Sequence, residues 1–224
     1  MIESMSLDSW RRPHGAAVVR VHSSPTVGFR PLPALPRETD LHLTGSRVLC
    51  LMDDDSLRIS LRKLSFALSY RGLRARLAQS ADHVGAWVAL SDKDGATARG
   101  RYLEQRDWNV VQVPRQTVLH NGVPTVKANV DHELAFLAGR LSAKEDFGVV
   151  LLGTGDGDLA VAIARCLREY TAASIVTLSV PGCSSKRLTD PALFSDRVFI
   201  GRDLVVPVRR PSRRVPEAHQ RLIG

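Results

Sequence analysis

Four aspartates stand where the sequence could do chemistry. Asp156 and Asp158 lie two residues apart in the segment 149–159, VVLLGTGDGDL, just past a glycine turn. Asp53 follows the apolar run 48–52 and opens Asp53-Asp54-Asp55-Ser56. Asp131 follows Lys127-Ala-Asn-Val and precedes an apolar face of Leu134, Leu137, Ala138 and Leu141. Carboxylates brought close together repel, so at neutral pH they share a proton or bind a cation. A hard divalent ion, Mg²⁺ or Mn²⁺, suits an all-oxygen nest. It would activate a water and stabilise in-line displacement at phosphorus. The competing reading is local, because acidic residues are also favoured as caps at helix N-termini. His120 and His132 fall near the same segments, but a lone histidine is more often a structural hydrogen-bonding group. No Cys–His pair or Ser–His–Asp set is apparent.

These acids converge only if the surrounding elements put them at one place. The runs 48–52 and 149–152 are apolar at every position, as in strands buried on both faces of a parallel sheet. Each enters a turn and then a stretch with helical periodicity. After 149–152 the helix carries Leu159, Ile163, Cys166, Leu167 and Tyr170. After 48–52 it carries Leu57, Leu61, Leu64 and Leu68 and is stopped by Gly72, with Ser56 or Asp55 as its cap. Further strands are expected at 83–90, 108–113 and 174–180, with a short last one at 198–200. The segment 116–125 reads as a loop turning at Asn121-Gly122. Strand–helix alternation from 47 to 200 predicts a three-layer α/β/α sandwich with a mostly parallel sheet of about five strands. Ligands of such sheets bind outside the carboxyl ends of the strands. Asp53, Asp131, Asp156 and Asp158 are therefore expected at one rim, with no Lys or Arg head neutralising them from inside.

Residues 1–45, with five prolines, read as a mostly disordered leader that packs little, apart from a short apolar stretch at 16–21. The domain is expected at 46–205 and a basic tail at 206–224. The net charge of +8 points to a polyanionic partner. Lys127, Lys186, Arg187 and the tail cluster Arg209, Arg210, Arg213 and Arg214 are the candidate contacts to phosphates of single-stranded RNA. No apolar run approaches the roughly 18 residues of a membrane span. The N-terminus lacks a secretory signal core. Cys50, Cys166 and Cys183 form no metal or redox pattern, which fits reduced thiols in a cytoplasmic protein. The oligomeric state stays open, a homodimer being one alternative.

The motifs resemble those of NYN domains, the PIN-like nucleases that include the LabA-like proteins. Leu51-Met-Asp-Asp-Asp-Ser-Leu57 is similar to their opening acidic motif, with Ser56 where Asn is usual. Lys127 to Asp131 is similar to their central Lys…Asp helix start. Leu152-Gly-Thr-Gly-Asp-Gly-Asp-Leu159 is similar to their Ser/Thr-Gly-Asp-x-Asp-Phe motif, with Leu159 in place of Phe. Phe194-Ser-Asp196 and Phe199-Ile200 resemble a late segment of the family. The resemblance implies metal-dependent ribonuclease chemistry, with Asp53, Asp131, Asp156 and Asp158 as ligands of Mg²⁺ or Mn²⁺. Two alternatives remain at this level. One is a non-catalytic RNA-binding or regulatory module of the same fold. The other is a haloacid-dehalogenase-like phosphatase, to which Asp53-Asp54-Asp55 and Gly155-Asp-Gly157 also have some likeness. Leu57 and Ala160 depart from that family's pattern.

Overall fold

An all-apolar strand must be covered on both sides, and the chain does this with helices. A computed structural model describes residues 34–43, 46–91 and 96–208. Its elements are β1 (Arg47–Asp53), α1 (Asp54–Lys63), β2 (Phe66–Leu68), α2 (Tyr70–Ser80), β3 (His83–Ser91), α3 (Ala96–Glu104), β4 (Asn109–Val113), β5 (Gln116–His120), β6 (Val123–Lys127), α4 (Val130–Ser142), β7 (Val149–Gly153), α5 (Gly157–Tyr170), β8 (Ser174–Ser179), β9 (Asp196–Phe199) and β10 (Val205–Pro207).

Six strands form one sheet in the order β4-β3-β1-β7-β8-β9, every neighbouring pair parallel. Successive strand residues point to opposite faces. Val48, Cys50 and Met52 of β1 join a core with Leu57 and Leu61 of α1, Leu73 and Leu77 of α2 and Leu103 of α3. Leu49 and Leu51 join a second core with Leu134 of α4 and Leu159, Ile163 and Leu167 of α5. The fold is thus the expected three-layer α/β/α sandwich, with β9 as a sixth strand. Among the described residues, no helix is long and apolar enough to cross a membrane.

The central pair is β1 and β7, in register Leu51 to Leu152 and Met52 to Gly153. From β1 the sheet grows through β3 to β4, and from β7 through β8 to β9. The chain order therefore reverses between β1 and β7. In parallel sheets that switch point opens a crevice at the carboxyl ends of the strands. Asp53 ends β1 on one side of it, and Thr154 follows β7 on the other.

Three expectations are corrected. The helix expected from Leu57 to Gly72 is two helices. Ser65 takes a left-handed φ of 64°, α1 stops, and β2 pairs antiparallel with β10. Ser69 then caps α2 by accepting from the Gly72 N–H. Gly72, read as a stop, lies in a first turn. The segment 116–125 is no open loop but part of the antiparallel hairpin β5–β6, turning through Asn121 and Gly122, both at positive φ. The leader also packs where it is described. Leu35, Leu41 and Leu43 are buried in the first core. Thr39 is fully buried and gives both its N–H and its hydroxyl to Asp203 Oδ1 at 2.9 Å. A Cβ on Gly201 would lie 2.4 Å from the Glu38 carbonyl carbon, so this close approach requires glycine. Residues 1–33 and 209–224, which include the 16–21 stretch and Arg209, Arg210, Arg213 and Arg214, lie outside the described residues.

Candidate active site

Asp53 is the last residue of β1 and the N-cap of α1, a role the sequence had suggested for Ser56 or Asp55. Its Oδ1 accepts from the Ser56 N–H at 3.1 Å. Its Oδ2 accepts from the Thr154 hydroxyl, also at 3.1 Å, in a buried bond. Thr154 Oγ1 in turn accepts from the Asp156 N–H at 3.0 Å. Beside it, Ser56 Oγ accepts from the Gly155 N–H at 3.0 Å. Two hydroxyls thus lace the loop after β1 to the loop after β7. Ser56, the departure from the resembled motif, makes one of these two links.

The neighbouring acids have different fates. Asp54 is buried and turns away from the rim. Both its oxygens meet the guanidinium of Arg99, and the Tyr70 hydroxyl donates to it at 2.9 Å. It is a structural ion pair. Asp55 accepts from the Ser91 N–H at 3.0 Å and pairs with Arg58. It lines a cleft of about 240 Å³ together with Asp53, Ser56, Ser91, Arg115 and Asp131. Asp55 and Arg115 were missed as site residues. Asp55 read as a helix cap, and Arg115 stood in a segment with no motif.

Asp156 caps α5, accepting from the N–H groups of Asp158 at 2.8 Å and Leu159 at 3.4 Å through Oδ1. The capping reading is therefore true of Asp53 and Asp156 alike, and it does not compete with their place at the rim. Asp156 borders a second cleft, of about 520 Å³, with Gly155, Asp158, Ser185 and Arg187. Ser56 borders both clefts. A Cβ at Gly157 would fall 2.3 Å from Ser185 Oγ, so the loop ending in Ser185 closes on α5 only over a glycine.

Asp158 corrects the expectation of an unneutralised nest. The Arg187 guanidinium pairs with it, and both side chains are exposed. Arg187, expected to bind RNA phosphates, is thereby engaged with a carboxylate. Lys186 is exposed in the 3-10 turn Lys186–Thr189. Lys127 ends β6 opposite Gln116.

The electrostatics tie three of the acids together. Burial pushes the Asp53 carboxyl up from 3.8 to about 6, and the charges of Asp131 and Asp55 add to that rise. The bonds from Ser56 and Thr154 oppose it. Asp131, in the first turn of α4, is also raised, by burial first and then by the charge of Asp156, against a lowering from His132. Asp131 thus acts on Asp53, and Asp156 on Asp131, from three separate elements. Among the described residues, no group of three or more His, Cys, Asp or Glu is arranged to hold a metal ion. The donor chemistry still suits a hard cation: all-oxygen ligands on one rim, in a field a positive charge would relieve.

No family model matches the chain, and no curated protein matches it. Among solved structures it is similar to a crystal structure of a protein of unknown function from Vibrio parahaemolyticus. The two share 16% identity and a TM-score of 0.58, over 74% of this chain and all of that one. At that identity the likeness shows the fold alone.

Proposed function

We propose that this chain is a metal-dependent ribonuclease of the NYN type, hydrolysing phosphodiester bonds of RNA at the crevice between β1 and β7. The observation that supports this most is that Asp131, in the first turn of α4, acts on Asp53 at the end of β1 and is itself acted on by Asp156, the cap of α5. Mutually repelling carboxylates at a switch point are costly to a fold without a cation partner. Asp53 and Asp55, which line the cleft at the end of β1, also disfavour a bare phosphate, which the glycine-rich turn of a dinucleotide-binding sheet would accept.

Asp53 and Asp131, on the wall of one cleft, would hold the ion, with Asp156 at the neighbouring cleft and Asp158 at the margin beside Arg187. When bound, Mg²⁺ or Mn²⁺ supplies charge neutralisation at the phosphate and lowers the pKa of a water. The chain's own residues do the rest. Thr154 and the Ser56 N–H fix the Asp53 carboxylate in one orientation. The Ser91 N–H and Arg58 fix Asp55. Arg115, on the wall of the same cleft, is placed to take a phosphate oxygen of the strand. Lys186 offers a further positive charge near the second cleft.

The experiment is a cleavage assay on single-stranded RNA with Mn²⁺, comparing the wild type with Asp53→Asn. Metal-dependent cleavage that the substitution abolishes is the expected result. A second reading, an RNA-binding module that does not cut, is favoured by the lack of a three-acid metal group among the described residues. Salt-sensitive RNA binding without cleavage in any divalent ion would establish it instead.

A further inference from the structure

A second charged cleft has chemistry opposite to that of the rim. On α2, Arg71, Arg74, Ala75 and Ala78 follow helical spacing and share one side. Gln105, Arg106 and Asp107, just past α3, face them across a cleft of about 660 Å³. None of these residues borders either acidic cleft. Three guanidinium groups against one carboxylate leave it positive. The short side chains of Ala75 and Ala78 leave room between the arginines on that side of α2.

Among the described residues, no carboxylate pairs with the arginines of this cleft. Arg76, on the same helix, lies 3.9 Å from Asp203 and donates to the Thr39 carbonyl at 3.0 Å. Among the described residues, Arg71, Arg74 and Arg106 make no ion pair. The Nε of Arg74 and the Nε of Arg106 are both buried with no hydrogen-bond partner. Arg106 is otherwise firmly placed. Its guanidinium stacks 3.6 Å from the centre of the Tyr102 ring, and Nη1 donates to the Tyr102 carbonyl at 2.8 Å. Buried donors normally find an acceptor, and leaving one unmade is costly. Those two N–H groups are closed off from solvent, so the guanidinium groups that line the cleft offer it their terminal N–H groups, which an anion accepting from several directions at once would satisfy. Phosphate does this best, because guanidinium forks match its oxygens pairwise.

We infer that the cleft between α2 and the end of α3 binds a phosphate group through Arg71, Arg74 and Arg106, separately from the acidic rim. The phosphate could belong to a small phosphoanion or to the backbone of a nucleic acid, and the test separates the two.

Full-length protein, with no divalent ion present, is titrated with inorganic pyrophosphate by calorimetry and with a short single-stranded oligoribonucleotide by fluorescence anisotropy. The variants are Arg71→Gln, Arg74→Gln and Arg106→Gln. The control is Arg168→Gln, an exposed arginine on α5 in the other helical layer. Loss of one charge-assisted contact is expected to weaken binding about tenfold. Pyrophosphate binding that falls this way in the three variants and not in the control assigns a small phosphoanion. No pyrophosphate binding, with the same pattern of loss for RNA, assigns the backbone. Arg71 is exposed, so Arg71→Gln serves as the test even if the more buried Arg74→Gln unfolds. Affinities unchanged in Arg71→Gln and Arg106→Gln, or reduced equally in Arg168→Gln, overturn the inference. Because no cleavage is read, the outcome is independent of the proposed nuclease activity.

Discussion

The Thr154 hydroxyl donates to Asp53 Oδ2 across 101 residues of sequence, at 3.1 Å and out of contact with water. Thr154 Oγ1 also accepts from the Asp156 N–H, so one side chain serves two loops. Thr154→Val keeps the shape and removes both bonds. It is expected to destabilise the fold by roughly 1–3 kcal/mol, the cost of buried groups left unpaired. Thr154→Ser should recover most of that. Urea denaturation of both variants checks it, and equal stabilities would refute the link.

The raised Asp53 pKa sets a pH dependence. The folded protein holds this proton more tightly than the unfolded chain, from 3.8 up to about 6. The resulting stability is full below pH 4 and is lost as pH rises through 6. Asp53→Asn keeps an acceptor for the Ser56 N–H and carries no charge. In metal-free protein its stability relative to wild type is expected to improve by roughly 1–3 kcal/mol between pH 4 and pH 7. A constant difference over that range would show that burial does not strain the carboxylate.

Asp156→Asn preserves a cap and removes one charge from the coupled set. Under the proposed function, Mn²⁺-dependent cleavage disappears while the melting temperature without metal stays level or rises. Added Mn²⁺ should raise the melting temperature of the wild type and not of the variant. Wild-type cleavage by this variant would sink the proposed site.

Asp158→Asn separates the rim acid paired with Arg187 from the other three. An exposed ion pair contributes little, so no clear change in melting temperature is expected. Cleavage is expected to stay within a few-fold of wild type. A loss as deep as that of Asp156→Asn would restore Asp158 to the metal-holding set.

Leu41→Ala tests whether the segment 34–43 is integral to the domain. Its side chain is 5% exposed in the first core, and the truncation should cost about 2–4 kcal/mol. Wild-type stability would return the segment to the status of a leader.

The central strands were legible because burial on both faces leaves an unbroken apolar run, as at 48–52 and 149–152. Their acid ends were legible because the strands stop there. The break between α1 and α2 was not, since Leu57, Leu61, Leu64 and Leu68 keep helical period straight through it. Ser65 in a left-handed conformation interrupts it, and no residue-type rule marks serine for that. The segment 34–43 escaped because its order comes from bonds to residues 201–203, far away in sequence. The pairing of Asp158 with Arg187 was hidden for the same reason. At the rim, residue types pointed to Asp53 and Asp156. The hydroxyls of Ser56 and Thr154 that orient this rim have no periodic signature.

The bond from Thr39 to Asp203 also bears on how the protein is made. The Arg202 N–H donates to the Pro36 carbonyl and the Gly201 N–H to the Thr39 hydroxyl, so the first described segment docks onto nearly the last. On the ribosome, Leu35, Leu41 and Leu43 emerge early and wait for some 160 further residues to be synthesised before their clasp exists. At about 5–20 residues per second, that wait lasts on the order of ten to thirty seconds. Throughout it, these leucines are without their clasp and are a ready target for chaperones, and synthesis of residues 201–203 becomes the event that lets the segment dock.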